Sequence, residues 1–194
     1  KVVVVDRDVE GGEETAQLIK EAGGEATLIP ADVANPTDCQ LMTDRAIEAY
    51  GRLDCAFNNA GVGGRSGKMT ADYAEEDWDR VIGINLKGVW LCMRAEITHM
   101  LKQGGGAIVN TASVAGLVGI RGTCAYIAAK HGVAGLTKAA ALEYATSGIR
   151  VNAVCPGYIE TPLTRPLFDS FQGLEEEVVA RHPLGRLGQP HEIA

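Results

Sequence analysis

The chain has 194 residues with 46% hydrophobic and 22% charged residues, ordinary usage for a globular domain with a sizeable core. Its formal net charge of −7, with no long Lys/Arg run, argues against nucleic acid or an anionic membrane as partner. The longest largely apolar stretch, Ala107 to Ile120, is broken by Asn110, Thr111 and Ser113, and it is shorter than the roughly 20 residues that span a bilayer.

The opening run Lys1-Val2-Val3-Val4-Val5-Asp6 is β-branched and reads as a buried strand over Val2–Val5, with Asp-Arg-Asp as a helix entry. A helix over Glu13–Ala22 then stops at Gly23-Gly24. A second strand, Ala26–Ile29, leads through Asp32-Val33 to a helix over Pro36–Tyr50, capped by Asn35 and stopped by Gly51. The third strand, Leu53–Phe57, runs into Asn58-Asn59-Ala60-Gly61. The following Gly61-Val62-Gly63-Gly64-Arg65-Ser66-Gly67 opens no strong helix, so it reads as a loop and not as a phosphate-binding turn. A long helical region from about Glu75 to Lys102 contains Asn85 and is expected to bend there. Gly104-Gly105-Gly106 stops it before a strand at Ala107–Thr111, and a proline-free helix follows over Ala125–Ala145. The last strand, Ile149–Val154, ends in Pro156-Gly157. Residues Tyr158 to Gly188 carry Pro162, Pro166, Phe168 and Phe171 and are placed as a mobile lid, with Glu175–Glu177 as a solvated helix face. Strands alternating with helices predict an α/β fold: a doubly wound parallel sheet with helices on both faces, in one domain over residues 1–194. There is no internal repeat.

The five cysteines are scattered without a Cys-x-x-Cys pair, which suits buried free thiols in a reducing compartment, hence a cytoplasmic location. The four histidines form no ligand spacing, so no catalytic metal is expected.

Tyr126 and Lys130 lie four positions apart in the proline-free helix, with Ser113 thirteen positions upstream of the tyrosine. Four residues is about one helical turn, so phenol and ammonium share a face, and the cation can favour the phenolate. A phenol at its ordinary pKa of about 10 holds its proton too tightly to act as a base at neutral pH, so a positive neighbour is a chemical requirement. Alone, Tyr-x-x-x-Lys is also a common exposed helical pair.

Ser113, Tyr126-Ile127-Ala128-Ala129-Lys130, Asn58-Asn59-Ala60-Gly61, Asn85 and Pro156-Gly157-Tyr158-Ile159-Glu160-Thr161 occur in the order typical of one family. Across its whole length the chain resembles a short-chain dehydrogenase/reductase of the compact, single-domain kind. The resemblance implies an NAD(P)-dependent oxidoreductase acting between a secondary alcohol and its ketone. Tyr126 would be the general acid/base, with Lys130 lowering its pKa and holding the nicotinamide ribose, and Ser113 would donate to the substrate oxygen. Asn85 would hold a water linking Lys130 to solvent, or it simply plugs a helix irregularity. Asn59, Ala60 and Gly61 would lie along the cofactor, while Pro156, Gly157, the Ile159 backbone and the Thr161 hydroxyl would hold the nicotinamide end. Asp32 and Val33 would touch the adenine edge; Asp32 reads equally as an ordinary loop carboxylate.

Asp6 would accept hydrogen bonds from the adenosine ribose and repel the 2′-phosphate of NADP, so NAD is the expected cofactor, NADP the less favoured one. Arg7 beside it blurs the choice, since a guanidinium could pair with that phosphate. In relatives a first strand, a Thr-Gly-x-x-x-Gly-x-Gly turn and a helix precede the segment that opens this chain, and the closing Gly188–Ala194 looks like an unfinished helix. The resemblance therefore implies a Rossmann-type sheet without its first β-turn-α unit or its C-terminal end, the interior of a longer natural chain, with two half-sheets exposing unpaired edges. A homotetramer through the helices bearing Asn85 and Tyr126 is expected, with Ala134, Ala141 and Ala145 either permitting close helix packing or facing the sheet. A 3-oxoacyl thioester reductase using NADPH, and a dinucleotide-binding sensor or scaffold without turnover, are the alternatives. A serine hydrolase is disfavoured, because Ser113 lies in Thr-Ala-Ser-Val-Ala and lacks the Gly-x-Ser-x-Gly elbow.

Overall fold

A computed structural model describes all residues, Lys1–Ala194. Five strands, β1 (Val2–Asp6), β2 (Ala26–Pro30), β3 (Cys55–Asn58), β4 (Gly106–Thr111) and β5 (Ile149–Val154), alternate with helices α1 (Val9–Glu21), α2 (Pro36–Tyr50), α3 (Glu75–Ile82), α4 (Val89–Gln103) and α5 (Cys124–Tyr144). Two short helices, α6 (Arg165–Ser170) and α7 (Leu174–Arg181), follow β5. No helix is long and apolar enough to cross a membrane.

Every strand pair is parallel, as the α/β alternation predicts. The strands form two sheets: β1 with β2, and β3-β4-β5 in that order. The expected division into two half-sheets is thus present. It exposes apolar side chains of the kind a parallel sheet normally covers: Phe57 of β3 is 56% accessible and Val2 of β1 42%.

Boundaries differ from expectation where a side chain intervenes. Helix α1 begins a turn early, because the Asp8 carboxylate caps it by accepting from the Gly11 N–H. Its Gly11-Gly12 pair concealed that start, glycine being a poor helix former. Strand β3 begins at Cys55, not Leu53, because the Gln103 side-chain amide stands in for a strand partner: it accepts from the Leu53 N–H at 3.1 Å and donates to the Leu53 carbonyl at 2.6 Å. The region from Glu75 to Lys102 is interrupted around Asn85 by a π-helical turn over Gly83–Gly88 that separates α3 from α4.

The main core lies between α4, α5 and the three-stranded sheet, built from Val89, Met93, Ile97, Met100, Ile108, Val133, Ile149 and Val151 among others. A second cluster of Ile29, Cys39, Met42, Leu91 and Cys92 joins β2, α2 and α4. Ala134 is buried and Ala141 packs on the main core, so both face the sheet, while Ala145 is exposed. The thiols divide against expectation: Cys39 and Cys92 are buried with their sulfurs 3.9 Å apart, but Cys55 and Cys155 are exposed, the former on the open edge of β3.

A buried polar ladder runs across these layers. The Asn58 amide of β3 donates to the Glu96 carboxylate of α4 at 3.1 Å and to Asn110 Oδ1 of β4 at 3.0 Å. Asn110 in turn donates to the Thr137 hydroxyl of α5 at 2.9 Å, and Thr137 donates to the Val133 carbonyl. Buried polar groups are tolerated only when partnered, and leaving one unpaired costs about 1–3 kcal/mol, so the ladder fixes β3, β4, α4 and α5 against one another.

Beyond β5 the chain builds a small core of its own from Phe168, Val178 and Leu187, with Tyr158 packed against it. It returns so that Gly188 bridges to Ile159, and Arg165 pairs with both Glu160 and Glu175. Glu175–Glu177 form the first turn of α7, where carboxylates suit the helix dipole.

Candidate active site

The carboxyl ends of the parallel strands converge on one rim, the place where open α/β sheets bind ligands. Asp6 closes β1, Asp32 follows β2, Asn59 follows β3, Ser113 follows β4 and Pro156 follows β5. Helix α5 brings Tyr126 and Lys130 beneath that rim. Lys130 is only 4% exposed. Its Nζ donates to the Thr111 carbonyl at 2.7 Å and lies 5.6 Å from the centre of the Tyr126 ring. Thr111 is a junction, since its hydroxyl also donates to Asn59 Oδ1 at 2.9 Å.

Ser113 is extended and opens a 3-10 turn over Val114–Gly116, its Oγ accepting from the Ala115 N–H at 3.1 Å. That leaves the hydroxyl proton free to donate elsewhere. The turn is tied to the end of β5 by the Val114 N–H donating to the Pro156 carbonyl. Gly116 permits the arrangement: a Cβ there would stand 2.7 Å from the Lys130 carbonyl, a contact with backbone that cannot yield.

Burial raises the Tyr126 pKa above the usual phenol value, with the Ser113 hydroxyl pulling it down and Tyr158 pushing it further up. Burial lowers the Lys130 pKa to about 8. The expected depression of Tyr126 by Lys130 is therefore not found: the ammonium stands over the ring and is spent on the Thr111 carbonyl, and desolvation dominates the phenol.

Ser113 and Tyr126 open into a cavity of about 650 Å³ whose wall includes Tyr158, Leu163 and Phe171 from the segment after β5. The loop after β3 lines it too, through Gly63–Ser66 and Lys68, and is tied down where the Gly67 N–H donates to the Gly122 carbonyl at 3.0 Å. Gly122 has φ +78 and a Cβ on it would lie 3.0 Å from Gly67 Cα, so this close approach requires glycine.

Compared with known proteins, residues 1–194 match a family profile described as "Enoyl-(Acyl carrier protein) reductase". Cyclohexanol dehydrogenase of Acinetobacter sp. strain SE19 is 49% identical over 193 residues, covering 100% of this chain and 74% of that protein. The crystal structure of levodione reductase superposes with a TM-score of 0.92 at 37% identity, over 97% of this chain and 76% of that one. The structure of ElxO with NADP bound superposes at 0.86 with 33% identity, over 97% and 75%. The chain belongs to the short-chain dehydrogenase/reductase family.

As a member of that family it is an oxidoreductase, a short-chain alcohol dehydrogenase acting on CH–OH with an NAD(P) dinucleotide. The strand-end residues can be tested for fit to that cofactor. Asp6 uses Oδ1 to accept from the Asp8 N–H at 2.9 Å and keeps its other oxygen free beside the exposed Arg7. Asp32 behaves as a loop carboxylate, accepting from the Ala34 N–H at 2.9 Å, and Val33 offers its carbonyl to the Cys39 thiol. Asn59, Ala60 and Gly61 are exposed along the rim. Asn85 is fully buried and both ends of its amide are taken by Val62, accepting from its N–H at 2.8 Å and donating to its carbonyl at 2.7 Å. Its side chain thus anchors the chain just beyond the Asn59–Gly61 loop. The bonds of the Ile159 bridge are made by the Tyr158 carbonyl and the Glu160 N–H, which turns Ile159's own N–H to the opposite side. The Thr161 hydroxyl meets Thr164 at 3.2 Å, and Gly157 sits against His182. The free carboxylate oxygen, the small exposed backbone and the outward N–H together suit a dinucleotide.

Glu96, Asn110, Thr111 and Thr137 were not picked out as supporting residues by motif. The one signal for them is polarity inside apolar segments: Asn110-Thr111 at the end of a strand, and Glu96 within a helix otherwise facing the core.

Proposed function

We propose that this dehydrogenase exchanges hydride between NAD and a cyclic secondary alcohol and its ketone, with Tyr126 as general acid/base. The observation that carries the reading is the placing of Ser113 and Tyr126 on one cavity wall with the Lys130 ammonium behind the phenol ring. The bound dinucleotide supplies the hydride acceptor, or the donor in the reverse direction. Ser113 orients the substrate oxygen by donating its free hydroxyl proton, and stabilises the charge that develops there. Tyr126 takes the alcohol proton during oxidation and returns it to the substrate oxygen during reduction. Lys130, held by Thr111, places a positive charge behind the ring and reaches toward the nicotinamide ribose. Asn85 serves by fixing the loop along which Asn59, Ala60 and Gly61 meet the cofactor. Asp32 and Val33 edge the adenine, and Pro156, Gly157, Ile159 and Thr161 hold the nicotinamide end.

Asp6 favours NAD, because its free oxygen suits ribose hydroxyls and repels a 2′-phosphate more than Arg7 attracts one. The similarity to cyclohexanol dehydrogenase supports a ring alcohol as substrate. We further propose a homotetramer assembled through α4 and α5. The test is to mix the complete protein with cyclohexanol and either NAD or NADP and follow absorbance of the reduced nicotinamide. Turnover with NAD preferred, and its loss by at least about a hundredfold in Tyr126→Phe with cofactor affinity retained, is expected. A Tyr126→Phe enzyme that still turns over would refute the assignment.

A further inference from the structure

We propose that the substrate, besides its alcohol or ketone, carries an oxyanion such as a carboxylate, received by Lys68 and Arg80 on the cavity wall; this rests on the dehydrogenase reading above. The chain is acidic, with 25 Asp and Glu against 18 Lys and Arg. The cavity in front of Ser113 and Tyr126 reverses that balance: its lining includes Arg65, Lys68 and Arg80 and no carboxylate. Arg65 is already committed, pairing with Asp77 at 2.8 Å. Lys68 and Arg80 form no ion pair, although Glu76 and Asp77 precede Arg80 by one turn of α3.

Three carboxylates, Asp72, Glu76 and Asp77, gather instead in an adjacent shallow depression that Arg65 and Lys68 also border. That depression has neither Ser113 nor Tyr126 in its wall. Lys68 and Arg80, exposed and without an ion pair, stand with apolar Leu163 and Phe171 on this concave wall, an arrangement that suits a ligand with a hydrocarbon body and an anionic end. A volume of about 650 Å³ has room for such a ring. The same cations would also accept the phosphates of an acyl thioester carrier, so the shared chemistry is the oxyanion.

The test uses the complete protein with NAD and compares 4-hydroxycyclohexanecarboxylate with its methyl ester, and 3-hydroxybutyryl-coenzyme A as a third arm. The acid should exceed the ester in kcat/KM by at least about tenfold at low salt, through KM, and the ratio should fall toward one as salt screens the cations. The same ratio should collapse in a Lys68→Gln, Arg80→Gln double variant. Preference for the thioester with the same salt and variant dependence also supports the proposal and assigns the oxyanion to phosphate. An ester used as well as the acid, or a ratio indifferent to both salt and the double variant, overturns it while leaving the dehydrogenase reading standing. Absence of turnover with all three and with cyclohexanol overturns the dehydrogenase reading and this proposal with it.

Discussion

On the proposed mechanism two buried groups set the proton chemistry, and burial moves them in opposite directions. The Tyr126 phenol is raised and the Lys130 ammonium is lowered to about 8. Alcohol oxidation needs Tyr126 without its proton, so kcat/KM in that direction should climb with pH, about tenfold per unit at first. Above about pH 8 Lys130 loses its charge and the climb should flatten. Ketone reduction needs the protonated phenol and should stay level through the neutral range. Initial rates in both directions from pH 6 to 9 check this, and an oxidation rate that falls between pH 6 and 8 contradicts it. The trio of Ser113, Tyr126 and Lys130 was legible in the sequence because helical spacing alone puts two of its members on one face. The direction of the phenol's shift was not, because spacing carries no information about how much water each group loses.

The ladder joining α4, β3, β4 and α5 ends on a carboxyl that burial raises to about 7, with the Asn58 hydrogen bond opposing the shift. Below the ordinary carboxylate value both folded and unfolded chains hold this proton. As pH rises from there through about 7 the unfolded chain releases it first, so Glu96 takes stability away over that interval and the loss is complete above it. Glu96→Gln keeps an acceptor for Asn58 and cannot ionise. It should therefore match the parent near pH 4 and exceed it at pH 8 by on the order of 3 kcal/mol. Melting temperatures of both proteins across pH 4 to 8 measure the difference, and a variant less stable at pH 8 would show that Glu96 is needed as an anion. Helix α2 and its Asn35 cap were readable residue for residue, since Asn35 accepts from the Thr37 N–H as the local pattern demands. Strand β3 was not, because its start depends on the Gln103 amide, fifty residues away in sequence.

The assembled surface leaves apolar side chains in water. Leu142 of α5 is 82% exposed, and Trp90 and Leu101 of α4 are 43% and 46% exposed. In the proposed tetramer these side chains would be covered by another copy. The complete protein should sediment as a tetramer, and Leu142→Glu should shift it to smaller species, with sedimentation velocity as the measurement. An unchanged mass distribution would remove α5 from the interface. Ala134 and Ala141 have no part in that face because they pack toward the sheet.

Local sequence settled whatever depends on neighbours along the chain. The strands at Val2–Val5 and Ile149–Val154, the Pro36–Tyr50 helix, the Tyr126–Lys130 pair and the family all follow from periodicity, caps and motif order. Folding in three dimensions settled what depends on groups meeting from distant segments. Thr111 joins Lys130 to Asn59, Asn85 clasps Val62, and Lys68 and Arg80 face the same cavity as Tyr126. Desolvation and pairing are properties of enclosed space, and a linear order of residues does not specify which polar groups will share one.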